Sequence, residues 1–421
     1  MIFKRFFKPG PQTIARKHHS ISRKDISENA LKVLYRLNAS GYKAYIVGGG
    51  VRDLLLNRRP KDYDIATDAH PEEIRDVFRN SRIIGRRFKL VHVFFPDEII
   101  EVSTFRANVI EKFDKHPDLE DQDETPIMLQ ADNTYGTMEE DAWRRDFTVN
   151  ALYYGTEDFA LSDYTGGMQD LKKKSIRMIG DPLQRYHEDP VRLLRAIRLA
   201  AKLNFSIEAK TKGPLLKLAH LLQHVPKARL FDELLKLFFE GYSLAVYEKL
   251  KNYGYFKALF PHLDSLFNEK RWKKLIELAL KASDARFAEG KSLNPAFLLA
   301  IFLWPLVQKL LNDQKHSKTP FFHRLNHAMA QALDLQCETI AIPRRFTATM
   351  QAIWVAQYHL ERRRKSRIIR IMEQRYFRAA FDFLSLRADA GEPLREMANW
   401  WQKIQVVNTA QQDKMIRDLV N

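Results

Sequence analysis

Only one cysteine, Cys337, occurs in 421 residues. That excludes an intramolecular disulfide and any structural zinc centre needing two or more thiolates, and it fits a reducing, cytoplasmic setting. Long apolar runs are also missing. The longest, Ala296 to Val307, contains Pro305 and falls well short of the ~20 residues that cross a bilayer, so a buried helix and no membrane span are expected. The opening MIFKRFFKPG interleaves Lys4, Arg5 and Lys8 with aromatics. It lacks the apolar core of roughly 7 to 15 residues that a signal peptide needs. There is no fixed-period repeat and no low-complexity tract, which excludes solenoid and array architectures. Acidic residues are outnumbered, 52 Asp+Glu against 69 Lys+Arg, for a net charge of +17. Such a surplus calls for a polyanionic partner: nucleic acid first, an anionic membrane face second.

The length suggests two to four domains. Residues 1–24 are basic and weakly periodic and read as a flexible arm. From Ile26 the apolar positions Ala30, Leu31, Val33, Leu34 and Leu37 fall at helical spacing, with Gly41 placed to end the helix. A strand over 42–47 then leads through Gly48, Gly49 and Gly50 into a brief helix, and a second strand is expected over 62–67. Asp68 and Pro71 suit the start of a helix running to about Asn80. Pro96 and Asp97 mark the turn of a hairpin between 90–95 and 98–103. The segment 111–140 is acidic and aperiodic and reads as a long loop. A last strand pair fits 159–164 and 175–179, and beyond Asp181 the periodicity is helical. The boundaries expected are thus a mixed α/β unit over 25–180, a helical segment over 181–245 and an all-helical remainder over 246–421.

Asp62 and Asp64 alternate on one predicted strand, so their carboxylates share a face about 7 Å apart along the backbone. Hard oxygen ligands at this spacing suit Mg2+, and two such ions about 4 Å apart can activate a hydroxyl while neutralising a triphosphate. An Asp-x-Asp pair alone is more often a solvated strand face. The upstream context changes the balance: the Gly48 and Gly49 turn leaves backbone N–H groups for phosphates, and Arg52 lies one turn further on.

The stretch IVGGGVRDLLLNRRPKDYDIAT resembles the head motif of the bacterial poly(A) polymerases and of their relatives, the CCA-adding tRNA nucleotidyltransferases, within the DNA polymerase β-like superfamily. The resemblance implies an α+β chain with a small mixed-sheet nucleotidyltransferase head followed by an all-α neck and body. It also implies that Asp62 and Asp64 bind metal, that Gly49 and Arg52 contact nucleotide phosphates, and that Asp53 steadies the turn. A second block, EDAWRRDFTVNALYY, is similar to the RRDFTxNA motif. Arg144 and Arg145 there supply cations for phosphate, and Asp146 on the same predicted helix is favoured over Glu101 as the third acidic residue. An exposed helix with internal ion pairs is the bland alternative. A third block, YHEDPVRLLRAIRLAAKL, resembles the nucleotide-selecting helix, with Asp189, Arg192, Arg195 and Arg198 on one face offering a base an acceptor beside an arginine fork. Its leucines equally supply a core face.

The branch is read from RIIGRRFKLVHV, similar to an element of the poly(A) polymerases. PKARLFDELLKLF, LNPAFLLAIFLWPL and AIPRRFTATMQAIW look like that branch's body, so the resemblance covers nearly everything from about Ser20. It implies template-independent addition of AMP from ATP to RNA 3′ ends, with two Mg2+ ions, in mRNA processing and decay alongside RNA-decay proteins. A CCA-adding enzyme is the runner-up, and a non-catalytic RNA binder on the same scaffold is the other alternative. The chain ends at MIRDLVN without the basic tail of some relatives. RNA affinity is therefore expected from the arm, including Arg16 and Lys17, and from Arg344, Arg345, the run Arg362 to Lys365, Arg367 and Arg370, with Phe346, Trp354 and Tyr358 as stacking partners.

Overall fold

The computed structural model describes residues 12–85, 89–107 and 134–419. These form two compact units, Met1–Glu188 with Asn204–Pro214 and Asp189–Leu203 with Leu215–Asn421. The expected loop lies mostly outside the described residues, as do Arg86, Arg87 and Phe88 and the first eleven positions.

The first unit is built on an eight-stranded sheet of order β1-β8-β7-β2-β3-β6-β5-β4. Its strands are β1 (Gln12–Ile14), β2 (Ala44–Val47), β3 (Asp64–Thr67), β4 (Ser81–Ile84), β5 (Leu90–Phe94), β6 (Ile99–Thr104), β7 (Leu152–Gly155) and β8 (Leu161–Asp163). All neighbours are antiparallel except β3 and β6, so the sheet is mixed. Helix α1 (Glu28–Ala39) starts where the Ser27 hydroxyl accepts the Ala30 N–H at 3.0 Å, and it buries Ala30, Val33, Leu34 and Leu37. Helix α2 (Gly49–Leu55) follows β2 directly, through Gly48 at φ 69, a conformation that L side chains avoid. In α3 (Pro71–Val77) the cap is His70 rather than Asp68; its N–H donates to Glu73 at 2.6 Å, while Asp68 accepts the Lys43 N–H at 2.7 Å. The 96–97 hairpin forms as expected. Helix α4 (Met138–Arg144) opens on a reciprocal pair between Thr137 and Glu140.

The structure departs from the expected pattern at three places. Residues 12–14, placed in the flexible arm, pair with β8 as an edge strand. The strand at 161–163 does not pair with 175–176. Instead β9 (Ser175–Ile176) joins β10 (Ser206–Ile207) in a separate parallel pair, because Asp163 turns the chain away into α5 (Gly167–Lys172). That buried carboxylate accepts the N–H groups of Thr165, Gly166, Gly167 and Met168 at 2.8–3.1 Å. Finally, the expected strand over 62–67 begins only at Asp64, so Asp62 sits in the segment leading into it.

Helix α6 (Pro182–Glu188) closes the first unit's main span. The second unit opens with α7 (Val191–Leu203), which buries Val191, Leu193, Leu194, Ile197 and Leu199. Past α8 (Ala209–Leu215) comes α9 (Lys227–Phe238), and the remaining described residues are helical or loop. The apolar run lies in the helix Pro295–Asp313. By length and composition that helix could cross a membrane, but Leu298 to Val307 are buried against the helices Phe321–Cys337 and Arg344–Arg362.

Replacing Asp163 by Ala would leave four backbone donors without their acceptor. A loss of about 2–3 kcal/mol is expected, read as a lower urea midpoint by circular dichroism; an unchanged midpoint would show that water satisfies the turn equally well.

Candidate active site

The sheet register assembles an acidic row. Asp64 is the first residue of β3, and its partner across the parallel pair is Glu101 on β6, so the two side chains emerge on one face. Asp62, two residues earlier, is exposed like Asp64. Although it reaches solvent, the Asp64 carboxyl is pushed up to about 6. Burial against the sheet contributes most and the Glu101 charge next; Arg145 pulls the other way and Asp62 adds a smaller push. Glu101 in turn meets His92 of β5, with Nε2 and Oε2 3.5 Å apart.

The cationic side of the site is Arg145. A Cβ placed on Gly48 would lie 3.5 Å from Arg145 Nη1 and 3.7 Å from Asp64 Oδ2, so the bare glycine marks where these groups converge. Arg145 is held from behind. Its Nε and Nη2 donate to Asp141 Oδ2 at 3.2 and 3.0 Å, and Nε also reaches the Tyr153 hydroxyl at 3.0 Å. Tyr153 itself donates to Asp141 at 2.6 Å. Burial opposes the charge on Arg145, but Tyr153 and Asp141 outweigh it and raise its pKa. The Asp141 carboxyl, against the cost of its own burial, is held low by Arg145 and by the Tyr153 hydrogen bond. Sequence reading singled out neither Asp141 nor Tyr153. The available signal was the i, i+4 spacing of Asp141 and Arg145.

Arg52 is buried, with Nε and Nη1 donating to Asp53 and Asn150, each at 2.7 Å. A Cβ on Gly49 would come within 3.4 Å of its Nη2. The guanidinium therefore lies beneath the glycine turn, bracing it from the protein side. The second block is not one helix: α4 ends at Arg144, and Arg145 is already extended. This break aims Arg145 at Gly48, and Arg185 secures it by donating to the Arg144 and Arg145 carbonyls at 2.6 and 2.8 Å. The Arg144 charge reaches Asp141. Asp146 accepts its neighbour Phe147 N–H at 2.8 Å, and its carbonyl accepts Ile179 N–H at 3.0 Å.

In the second unit, Asp189 precedes α7 rather than lying on it, since Pro190 intervenes. It is buried; one oxygen accepts Val191 N–H at 3.2 Å and the other accepts Arg229 Nη2 at 2.8 Å. Arg195 and Arg198 each stand 3.9 Å from an acid of the following segment, Glu233 and Glu240, and Arg192 shares their helix. Arg229 belongs to PKARLFDELLKLF and had no assigned role. Further along, Arg362 lies 4.8 Å over Phe321, and His359 is held low by burial and then by Arg367, Arg362 and Arg364, so the basic run is spatially concentrated. Trp354 is not a surface stacking group. It is buried and donates to the Ala300 carbonyl at 2.9 Å.

Known families and proteins resemble this chain along most of its length. A family described as the poly A polymerase head domain matches residues 44–177. One described as a probable RNA- and SrmB-binding site of polymerase A matches 204–267, and one described as the polymerase A arginine-rich C-terminus matches 317–421. The chain is 46% identical to poly(A) polymerase I of Salmonella typhi, over 98% of this chain and 90% of that protein. It is 45% identical to poly(A) polymerase I of Haemophilus influenzae, over 94% and 89%. A CCA-adding enzyme of Bacillus licheniformis is 35% identical over 70% of this chain and 72% of its own. The solved structure of the Bacillus stearothermophilus CCA-adding enzyme in complex with CTP shares the fold, with a TM-score of 0.61 at 23% identity, covering 93% of this chain and 88% of that one.

Fold and site together define a nucleotidyltransferase: a mixed-sheet head carrying an acidic row, and a largely helical remainder. The chain belongs to the poly(A) polymerase family. It is a template-independent polynucleotide adenylyltransferase, adding AMP to RNA, and the CCA-adding enzymes are its more distant relatives.

Asp64 gives the site a pH signature. Its folded pKa of about 6 lies above the unfolded value of 3.8, so its charge destabilises the folded head fully above about pH 6 and progressively less as pH falls towards 3.8. In metal-free buffer Asp64→Asn should therefore melt higher than the unsubstituted protein at pH 8, with the gap closing by pH 4. A gap independent of pH would contradict the raised Asp64 pKa.

Proposed function

We propose that Asp62 and Asp64 hold the divalent cations of adenylyl transfer, with Glu101 completing the acidic row and Asp146 assisting from the second block. The observation that carries this reading is the register of Asp64 with Glu101 on one face, opposite the Arg145 group that reaches Gly48. Mg2+ keeps waters and binds through one or two carboxylates plus substrate phosphates, so Asp62 and Asp64 suffice as its protein ligands in this reading. When bound, Mg2+ supplies charge neutralisation of the triphosphate and acidifies the attacking hydroxyl.

The chain's own groups do the rest. Arg145, kept charged and aimed by Asp141 and Tyr153, and the glycine turn braced by Arg52 orient the ATP triphosphate. Arg144 adds positive charge behind them. The RNA 3′-hydroxyl attacks the α-phosphorus in line, forming the new phosphodiester as the bond to pyrophosphate breaks. Because little covalent work falls to the protein, rate comes from positioning and electrostatics.

Asp189, Arg192, Arg195 and Arg198 are assigned to nucleotide selection. The Arg229 contact, which holds the Asp189 carboxylate in one orientation, supports reading it as the acceptor for the adenine amino group. We further assign RNA binding to the neck and body, over 181–245 and 246–421, and to the basic residues at 1–24. Arg344, Arg345, Arg364, Arg367 and Arg370 supply phosphate contacts. RNA-decay proteins are the proposed protein partners, and the cytoplasm the proposed setting.

Asp62→Ala should lower AMP incorporation into oligo(A) by at least about a thousandfold while leaving RNA affinity by fluorescence anisotropy within twofold. Retention of substantial turnover would end the metal assignment. In the same assay ATP should be used far better than CTP, and equal use would overturn the selection assigned to Asp189 and its arginines.

A further inference from the structure

The acidic row does not stop at Glu101. Register across the sheet aligns Asp64 with Glu101, Glu101 with His92, and His92 with Arg82 of the edge strand β4, and side chains opposite one another in register share a face. Phe94, two residues beyond His92, lies on that face as well. Its ring is 6.3 Å from His92 and 40% exposed, and Ile99 opposite it is 51% exposed. The other face of the same hairpin, Val91, Val93, Ile100 and Val102, is fully buried. Core formation therefore accounts for one side of β5 and β6, while Phe94, Ile99 and Glu101 on the site's side stay at least partly exposed among the described residues. Arg82 is exposed and has no ion-pair partner among the described residues.

An in-line displacement places the attacking oxygen opposite the leaving pyrophosphate. Arg145 and Gly48 lie on the β2 side of Asp64, so a triphosphate held there leaves the β6–β5–β4 side to the nucleophile. We propose that this strip receives the 3′-terminal nucleotides of the RNA: Phe94 stacks on a base near the 3′ end, Arg82 takes a backbone phosphate, and His92 acts as a positioning residue that orients Glu101. Three inter-strand steps of about 4.8 Å put Arg82 about 14 Å from Asp64, room for several stacked nucleotides. Stacking suits the task because every base has a π-face, so it grips an end without a template. The inference rests on the triphosphate placement under Proposed function.

The test uses the full chain and an oligo(A) ending in 3′-terminal 4-thiouridine, irradiated and then digested with trypsin. The main adduct is expected within Leu90 to Arg106. Phe94→Ala should raise the KM for oligo(A) about tenfold with the KM for ATP unchanged, and Phe94→Tyr should restore it. A main adduct outside that peptide, an oligo(A) KM within twofold of the unsubstituted protein, or a parallel rise in both KM values would overturn the docking site. Those results together with an inactive Asp62→Ala would remove only the RNA placement. Activity surviving Asp62→Ala would remove the metal reading beneath it.

Discussion

Asp64 and Glu101 face each other across a parallel strand pair of the main sheet, and the burial and like charge that this register imposes on the Asp64 carboxyl are the constraint around which the site is arranged. A parallel register cannot slip without turning every side chain to the other face, and the buried Ile65, Val102 and Ile100 fix it on the core side. The hydrophobic core thus holds two like charges together that would separate in an open chain. Among the described residues, Arg145 is the cation that relieves the crowding on Asp64.

Holding Arg145 requires a second arrangement. Its guanidinium is held from behind by Asp141 and Tyr153, so its forward edge is kept in one orientation towards Gly48 and Asp64. Arg185 clamps the backbone where α4 stops. Gly48 then matters for what it lacks: a side chain there would stand between the arginine and the carboxylate. Cationic and acidic halves of the site are in this way supported by separate elements, α4 with β7 on one side and β3 with β6 on the other.

Much of this was legible in the order of residues. The α1 periodicity, the glycine turn after a strand, the Pro96–Asp97 hairpin and the helical second half all appear close to where local patterning put them, because each depends on neighbours within a few positions. Asp62, Asp64, Arg145 and Asp189 were visible through motif blocks. Misplacements occurred where a long-range partner competed with local pattern. β8 gained an edge strand from residues 12–14, which look featureless in isolation. Asp163 spent its carboxylate on four backbone donors and diverted the chain. The RRD block left its helix at Arg144, since Arg185, about forty residues away, captures the carbonyls there. Trp354 looked like a stacking group among arginines and proved to be core.

By itself, the sequence determined the chemistry available: a basic chain, alternate carboxylates after a glycine turn, and arginines at helical spacing, all set by composition and by periods of two and 3.6 residues. Only tertiary structure decided which of those groups meet. The pairing of Asp64 with Glu101, of Glu101 with His92, of Arg145 with Tyr153 and of Asp189 with Arg229 joins residues from 8 to 40 positions apart. Such contacts are chosen by sheet register and core burial, energies summed over the whole domain that no local stretch of sequence contains.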